Sequence, residues 1–149
     1  MSTQPIKQVL TIAGSDSGGG AGIQADIKSM SANGVFAMSV VTAVTAQNTE
    51  EVTNVFELPT SIVAAQIDAV FDDFDVAAVK TGMLSSAAIV ETVARMLKPQ
   101  NVTNLVVDPV MISKSGHLLL KPDAINAIKG QLFPLALLVT PNIHEAQQL

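Results

Sequence analysis

Short segments of this chain carry the residue types best suited to chemistry. The first runs Gly14-Ser15-Asp16-Ser17-Gly18-Gly19-Gly20-Ala21-Gly22. Its glycines allow positive φ and let a ligand approach the main chain. A helix starting behind them offers free N–H groups and a partial positive charge, suited to an anion or a polar ring substituent. No Gly-Lys-Ser/Thr follows, so this is not a nucleotide P-loop. Gly20-x-Gly22-x-x-Ala25 fits a dinucleotide fingerprint loosely, but no acidic residue ends the second predicted strand, where a ribose contact belongs. The plainer alternative is a strand-to-helix turn that binds nothing. Next comes Gln47-Asn48-Thr49. Its amides set donors and acceptors side by side, which suits the edge of a pyrimidine or pyridine ring; an ordinary polar loop is the competing reading. Lys80-Thr81-Gly82-Met83 joins an adaptable methionine to a lysine that needs a partner if it is buried. A core methionine and a solvated lysine are the plainer reading.

Two later segments concern charge. In Asp108-Pro109-Val110-Met111-x-x-Lys114-Ser115-Gly116 the aspartate ends a predicted strand, where it could hold Mg²⁺ directly or through water. Lys114 is a mobile point charge for a phosphate. A capping aspartate and a solvated lysine are the alternative. In Thr140-Pro141-Asn142-x-x-Glu145 the last two named residues form a capping-box pair. The functional reading sets Glu145 beside Asp108, if their strands are neighbours, as two carboxylates for a magnesium ion carrying triphosphate. His117 and His144 read as loop and helix-surface residues. Phe71, Phe74 and Phe133 read as core, and Asp72-Asp73 as a solvated face.

The elements that must position these residues alternate along the chain. Strands are predicted over Val9–Ala13, Phe36–Thr45, Thr53–Leu58, Val76–Lys80, Leu105–Val110 and Ala136–Thr140. Between them lie helical faces: Ile23, Ile27 and Met30, with Gly34 as a C-cap glycine; Val63, Ile67, Val70, Phe71 and Phe74 after Pro59-Thr60; Ile89, Val93, Met96 and Leu97 after a Ser85 or Ser86 cap; and Ile125, Ile128 and Leu132 after Pro122. A last helix begins near Ile143, capped by Asn142. Strands alternating with helices of about a dozen residues imply βαβ units and a parallel sheet. The polar segments all fall at the carboxyl ends of strands, where such sheets bind ligands. The chain stops at Leu149, about two turns into a fresh helix, so we expect residues 1–149 to be the front part of a longer polypeptide.

Composition narrows the class. The chain has 149 residues, 48% hydrophobic and 14% charged, far from a disordered composition. Its net charge of −5 argues against nucleic acid or an anionic membrane as the main partner. With no cysteine there is no disulfide, thiolate nucleophile or cysteine-held metal, and two histidines make a His-rich zinc site unfavourable. No signal-peptide core opens the chain, and no apolar run approaches the ~18–20 residues that span a bilayer. The mean hydropathy of +0.42 suits strands covered on both faces. A cytoplasmic protein is expected.

In this order the segments resemble one family. Thr11-Ile12-Ala13-Gly14-Ser15-Asp16 followed by Gly18-Gly19-Gly20-Ala21-Gly22-Ile23-Gln24-Ala25-Asp26 is similar to the start of the hydroxymethylpyrimidine and hydroxymethylpyrimidine-phosphate kinases of thiamin biosynthesis. Val44-Thr45-Ala46-Gln47-Asn48-Thr49, Lys80-Thr81-Gly82-Met83-Leu84, Val107-Asp108-Pro109-Val110-Met111 and Thr140-Pro141-Asn142-x-x-Glu145 follow in the family's order. The resemblance covers Val9 to Leu149; Asp-Pro-Val-Met and Asn-x-x-Glu are shared more widely across ribokinase-like kinases, including pyridoxal kinases. It implies a ribokinase-like three-layer α/β/α fold with a mostly parallel central sheet, here truncated after about the first half. It implies ATP-dependent phosphorylation of 4-amino-5-hydroxymethyl-2-methylpyrimidine and its monophosphate. Gly14, Ala21, Asp26, Thr45, Gln47, Met83 and Val110 would line the pyrimidine pocket, with Gln47 bonded to the aminopyrimidine. Asp108 and Glu145 would organise Mg²⁺ and the triphosphate of ATP, with Lys114 and Asn142 on the phosphate and nucleotide side. The family's anion hole and catalytic base belong to the half that this chain lacks. No catalytic residue is therefore expected here, and the 149 residues alone should not turn over. A homodimer is expected at full length. Two alternatives stand beside this: a pyridoxal or pyridoxine kinase of the same fold, and a non-catalytic pyrimidine-binding fragment.

Overall fold

The computed structural model describes residues 5–111, 120 and 122–149. Seven strands and five α-helices are found among them: β1 (Gln8–Ala13), α1 (Gly22–Ala32), β2 (Phe36–Val41), β3 (Ala43–Gln47), β4 (Val52–Glu57), α2 (Thr60–Phe71), β5 (Val76–Thr81), α3 (Ala87–Leu97), β6 (Leu105–Val107), α4 (Pro122–Ala127), β7 (Leu138–Val139) and α5 (Ile143–Gln148). Five strands form a parallel sheet in the order β2-β1-β5-β6-β7. The expected α/β architecture is therefore found.

The order carries functional information. β1 steps outward to β2 through α1, whereas β5, β6 and β7 step the other way through α3 and α4. Right-handed crossovers then put α1 on one face and α2, α3 and α4 on the other. Packing agrees: α2 lies on α3, α3 on α4, and α1 on β1 and β2. The direction reverses between β1 and β5, and a crevice opens beyond the carboxyl ends of strands at such a switch point. Leu10, Ile12, Val79, Leu105 and Val107 point from the sheet into the α2–α3 core, with Val63, Ile67, Ile89 and Val93 opposite them. Fully burying each of these side chains contributes about 2 kcal/mol.

The unbroken β-prone run expected over Phe36–Thr45 is two strands. Thr42 is buried at a bend between them, its N–H given to Ala13 and its hydroxyl to the Met83 carbonyl. Beyond it, β3 leaves the main sheet and pairs antiparallel with β4 as a separate ribbon. The strand expected to reach Val110 stops at Val107, where Asp108-Pro109 follows and Pro109 has no N–H to give. The strand expected over Ala136–Thr140 is only Leu138–Val139. Phe74 lies past the end of α2 and stacks on Phe36 with ring centroids 6.0 Å apart. Among the described residues, Ser86 stands at the N-cap of α3 without a side-chain cap bond, and the buried Ser85 hydroxyl has no partner. Gly34 closes α1 at φ 78°, as expected. α4 widens into a π-helical turn over Ile128–Leu132, which spans Gly130.

Candidate functional site

The glycine segment connects β1 to α1 at the switch point. The N–H groups of Gly18, Gly19, Gly20 and Ala21 are used within the loop itself. Asp16, 4% exposed, turns its carboxylate into the loop. One oxygen accepts the Gly18 N–H at 2.8 Å, and the other accepts those of Gly20 at 2.9 Å and Ala21 at 2.8 Å. The loop's anion is thus its own side chain. The Asp16 N–H goes to the Gln24 side chain at 2.8 Å, and Lys28 donates to the Gly19 carbonyl at 2.7 Å. Gly22 opens the helix at φ 55°, and a Cβ there would overlap the Gly14 carbonyl oxygen. We expect Gly22→Ala to cost about 2–3 kcal/mol, read as a lower urea midpoint at unchanged m-value.

The ribbon is laced to this loop. Ser15 donates its N–H to Ala43 O at 2.8 Å. The Ser17 hydroxyl donates to Gln47 O at 2.6 Å and accepts the Gln47 N–H at 2.8 Å. The Thr45 hydroxyl donates to Ser15 O at 2.8 Å and lies 3.2 Å from the Gln47 side-chain amide. Met83 closes the other side: its methyl sits 2.7 Å from where a Cβ on Gly14 would be. Gly14, Thr45, Gln47 and Met83 are thus joined around the carboxyl ends of β1 and β3. Ala21 lies exposed at the loop's end, held by Asp16.

A second cluster lies on the α1 face of the sheet. Thr11 on β1 and Lys80 on β5 are direct neighbours in register, and Val106 follows Lys80 on β6. Asp26 reaches down from α1, accepts the Thr11 hydroxyl at 2.6 Å, and takes Lys80 Nζ at 3.0 Å on both oxygens. Lys80 Nζ also lies 3.6 Å from Asp108 Oδ2. Asp26, expected as a pocket lining, is therefore also one end of a carboxylate–lysine–carboxylate row. Burial pushes the Asp108 carboxyl above its ordinary value; Lys80 opposes this, while the charges of Glu145 and Asp26 add to it. Replacing Lys80 by Met leaves two facing carboxylates, each at least partly buried. We expect that variant to lose about 2–3 kcal/mol in urea unfolding, with much of it recovered when Asp26→Asn is added.

Glu145 is 3% exposed at the start of α5. It completes a capping box, accepting the Asn142 N–H at 2.9 Å while Asn142 accepts the Glu145 N–H at 3.0 Å. Its other oxygen accepts the Met111 N–H at 3.0 Å. Glu145 therefore ties the segment after β6 to the helix after β7, and the capping pair expected from the spacing is formed. Val110, the residue before Met111, is half-buried. Lys114 and His117 lie outside the described residues. His144 is exposed, as expected. Sequence reasoning missed Asp16, Ser15 and Ser17 as loop organisers. The Asp-x-Gly spacing at Asp16 was a signal for a side chain bonded to the backbone two residues on.

A family model described as phosphomethylpyrimidine kinase matches residues 16–149. A relative from Haemophilus influenzae named hydroxymethylpyrimidine/phosphomethylpyrimidine kinase is 53% identical over 144 residues, covering 97% of this chain and 54% of the relative. The crystal structure of phosphomethylpyrimidine kinase from Clostridium difficile 630 superposes with a TM-score of 0.91 at 55% identity, covering 95% of this chain and 62% of that one. The structure of a Staphylococcus aureus pyridoxal kinase in complex with AMP-PCP and pyridoxal superposes with a TM-score of 0.86 at 35% identity, covering 98% of this chain and 52% of that one. The chain spans about half the length of the curated relatives it matches. With the family model matching nearly the whole chain, and every motif at the strand ends where the sheet can use it, the chain belongs to the phosphomethylpyrimidine kinase family.

Proposed function

We propose that residues 1–149 form the substrate-binding, N-terminal part of one ATP-dependent kinase domain. The kinase phosphorylates the hydroxymethyl group of an aminopyrimidine, and then the resulting monophosphate, in thiamine biosynthesis. The observation that carries this reading is that a cluster of Gly14, Gln47 and Met83 and a charged row ending in Asp108 both gather where the neighbouring strands β1, β5 and β6 end. The first suits a flat heteroaromatic ring, the second a phosphoryl group in transfer. The names of the relatives supply the ring and the pathway, and the AMP-PCP complex of the pyridoxal kinase supports ATP as donor.

The residues present fit a magnesium ion in one particular way. Asp108 keeps a partly open carboxylate, with Lys80 3.6 Å away as its ion-pair partner among the described residues. Glu145 commits both oxygens to backbone N–H groups and is buried, so it contributes charge rather than a bond. Among the described residues no group of three His, Cys, Asp or Glu side chains gathers to hold a metal. Asp108 would thus hold Mg²⁺ with phosphate oxygens and water completing the shell, and the ion would neutralise phosphate charge. Lys80 then keeps Asp108 in place from the side, and Asp26 keeps Lys80.

In the transfer, the hydroxymethyl oxygen forms a bond to the γ-phosphorus, the bond to the β-phosphate oxygen breaks, and ADP leaves. The proton of the hydroxymethyl group goes to a base outside residues 1–149, so this segment alone binds without turnover. The donor side, a homodimeric assembly and a cytoplasmic location complete the proposal. No described helix is long and apolar enough to cross a membrane.

Pyridoxal is the second reading, favoured by the pyridoxal-bound neighbour. Methyl-labelled methionine separates the rings. The aminopyrimidine alcohol should shift the Met83 methyl resonance at lower concentration than pyridoxal does, with Met30 and Met96 unmoved. A Met83 signal that answers only to pyridoxal overturns the first reading.

A further inference from the structure

The Thr45 hydroxyl carries one proton and sits between two groups that could take it. The residue is 6% exposed on β3. The Ser15 carbonyl oxygen lies 2.8 Å away and can only accept. The end of the Gln47 amide, placed as Oε1, lies 3.2 Å away. The shorter contact to an obligate acceptor takes the proton. The hydroxyl then turns a lone pair toward Gln47. An amide oxygen at that place sets lone pair against lone pair, whereas an amide nitrogen donates a hydrogen bond. The two ends of a carboxamide have nearly the same shape, so the surrounding bonds decide which faces where. The Gln47 backbone is already clamped, its N–H and carbonyl both bonded to the Ser17 hydroxyl. Among the described residues, Thr45 is the group that addresses the Gln47 side chain.

We propose that Thr45 is a specificity-determining positioning residue: it holds the Gln47 amide with Nε2 toward the hydroxyl and Oε1 toward the ligand. The site then asks for a donor on the ring, as an exocyclic amino group provides, and penalises an acceptor in its place. This rests on the aminopyrimidine reading for the identity of the ring, but the orientation of the amide is a property of the free protein. The energetic lever is the unpaired polar group. A ring carbonyl facing Oε1 leaves two acceptors opposed in a partly dry pocket, which weakens binding by roughly tenfold or more.

The test has a ligand-free arm and a binding arm, both on the product of the gene's complete reading frame. In the first, NMR of the free protein should show cross-peaks from the Gln47 carboxamide protons to the Thr45 side chain. Their absence, with the Thr45 side chain assigned, overturns the orientation whatever the ligand is. In the second, calorimetry compares the aminopyrimidine alcohol with its analogue bearing a ring carbonyl in place of the amino group. The parent should prefer the amino ring, Thr45→Val should cut that preference about tenfold, and Thr45→Ser should keep it. A Thr45→Val variant that weakens both probes equally assigns the residue to loop packing and overturns the proposal. A parent that binds pyridoxal and neither pyrimidine overturns the aminopyrimidine reading, and the cross-peaks then decide the Thr45 proposal by themselves.

Discussion

Asp108→Asn should abolish phosphoryl transfer while leaving the fold as stable as before, or more so. Activity should fall by roughly 10³-fold, because the variant removes an open carboxylate at the charged end of the site and keeps its shape. The stability side follows from the direction of the shift. Burial holds the Asp108 proton more tightly in the folded protein than in the unfolded chain. Ionising the carboxyl therefore costs stability. That cost is absent below the ordinary aspartate range and grows as pH rises through the shifted value. At neutral pH the asparagine escapes it. The variant also loses the 3.6 Å contact to Lys80, a weak pairing for a carboxylate that is 34% exposed. Thermal unfolding at pH 7 should give a midpoint equal to or above the parent's, with any advantage gone near pH 4. A clear drop at pH 7 would show that Asp108 is kept for packing. The pattern expected of a functional residue is a group held at a cost to stability.

Asp16→Ala should do the opposite: it should strike the fold first and the site through it. The carboxylate accepts three backbone N–H groups of the glycine loop from a nearly dry position. Bonds to a charged acceptor are the stronger kind, and orphaned donors add to the loss. We expect about 3 kcal/mol of lost stability. Amide exchange at Gly18, Gly20 and Ala21 should rise sharply, with Leu10 and Ile12 in β1 slowed as before relative to global opening. The same variant leaves a concave set of N–H groups without their anion. Millimolar phosphate should therefore raise its unfolding midpoint and leave the parent's unchanged. Equal phosphate effects on both proteins would mean that Asp16 is not the loop's internal anion.

Much of this architecture was legible because it repeats a simple rhythm. Apolar β-prone runs ending in glycine or polar segments, separated by faces such as Val63-Ile67-Val70, spell βαβ units, and the sheet follows. The break at Thr42 was not legible. Val41-Thr42-Ala43 is as β-prone as its flanks, and the bend depends on Ala13 and the Met83 carbonyl, residues distant in sequence. The row from Thr11 through Asp26 and Lys80 to Asp108 was invisible for the same reason: Lys80 and Asp26 are separated by 54 positions and meet only after β1 and β5 pair. Sequence spacing did locate Asn142 and Glu145 as a cap, and the cap formed. It could not say that the second oxygen of Glu145 would hold Met111, since that needs β6 beside β7. In the glycine segment, Asp16 supplies an anion to the loop's own N–H groups, a role that glycines and a helix start do not by themselves reveal.

The most direct measurement of the central claim is phosphoryl transfer by the product of the complete reading frame, supplied with ATP and Mg²⁺ and offered the aminopyrimidine alcohol and pyridoxal in parallel. The account predicts phosphate on the pyrimidine hydroxymethyl group, then on its monophosphate, with Asp108→Asn silent on both rings. Turnover of pyridoxal with none of the pyrimidine, or full activity in Asp108→Asn, would contradict it.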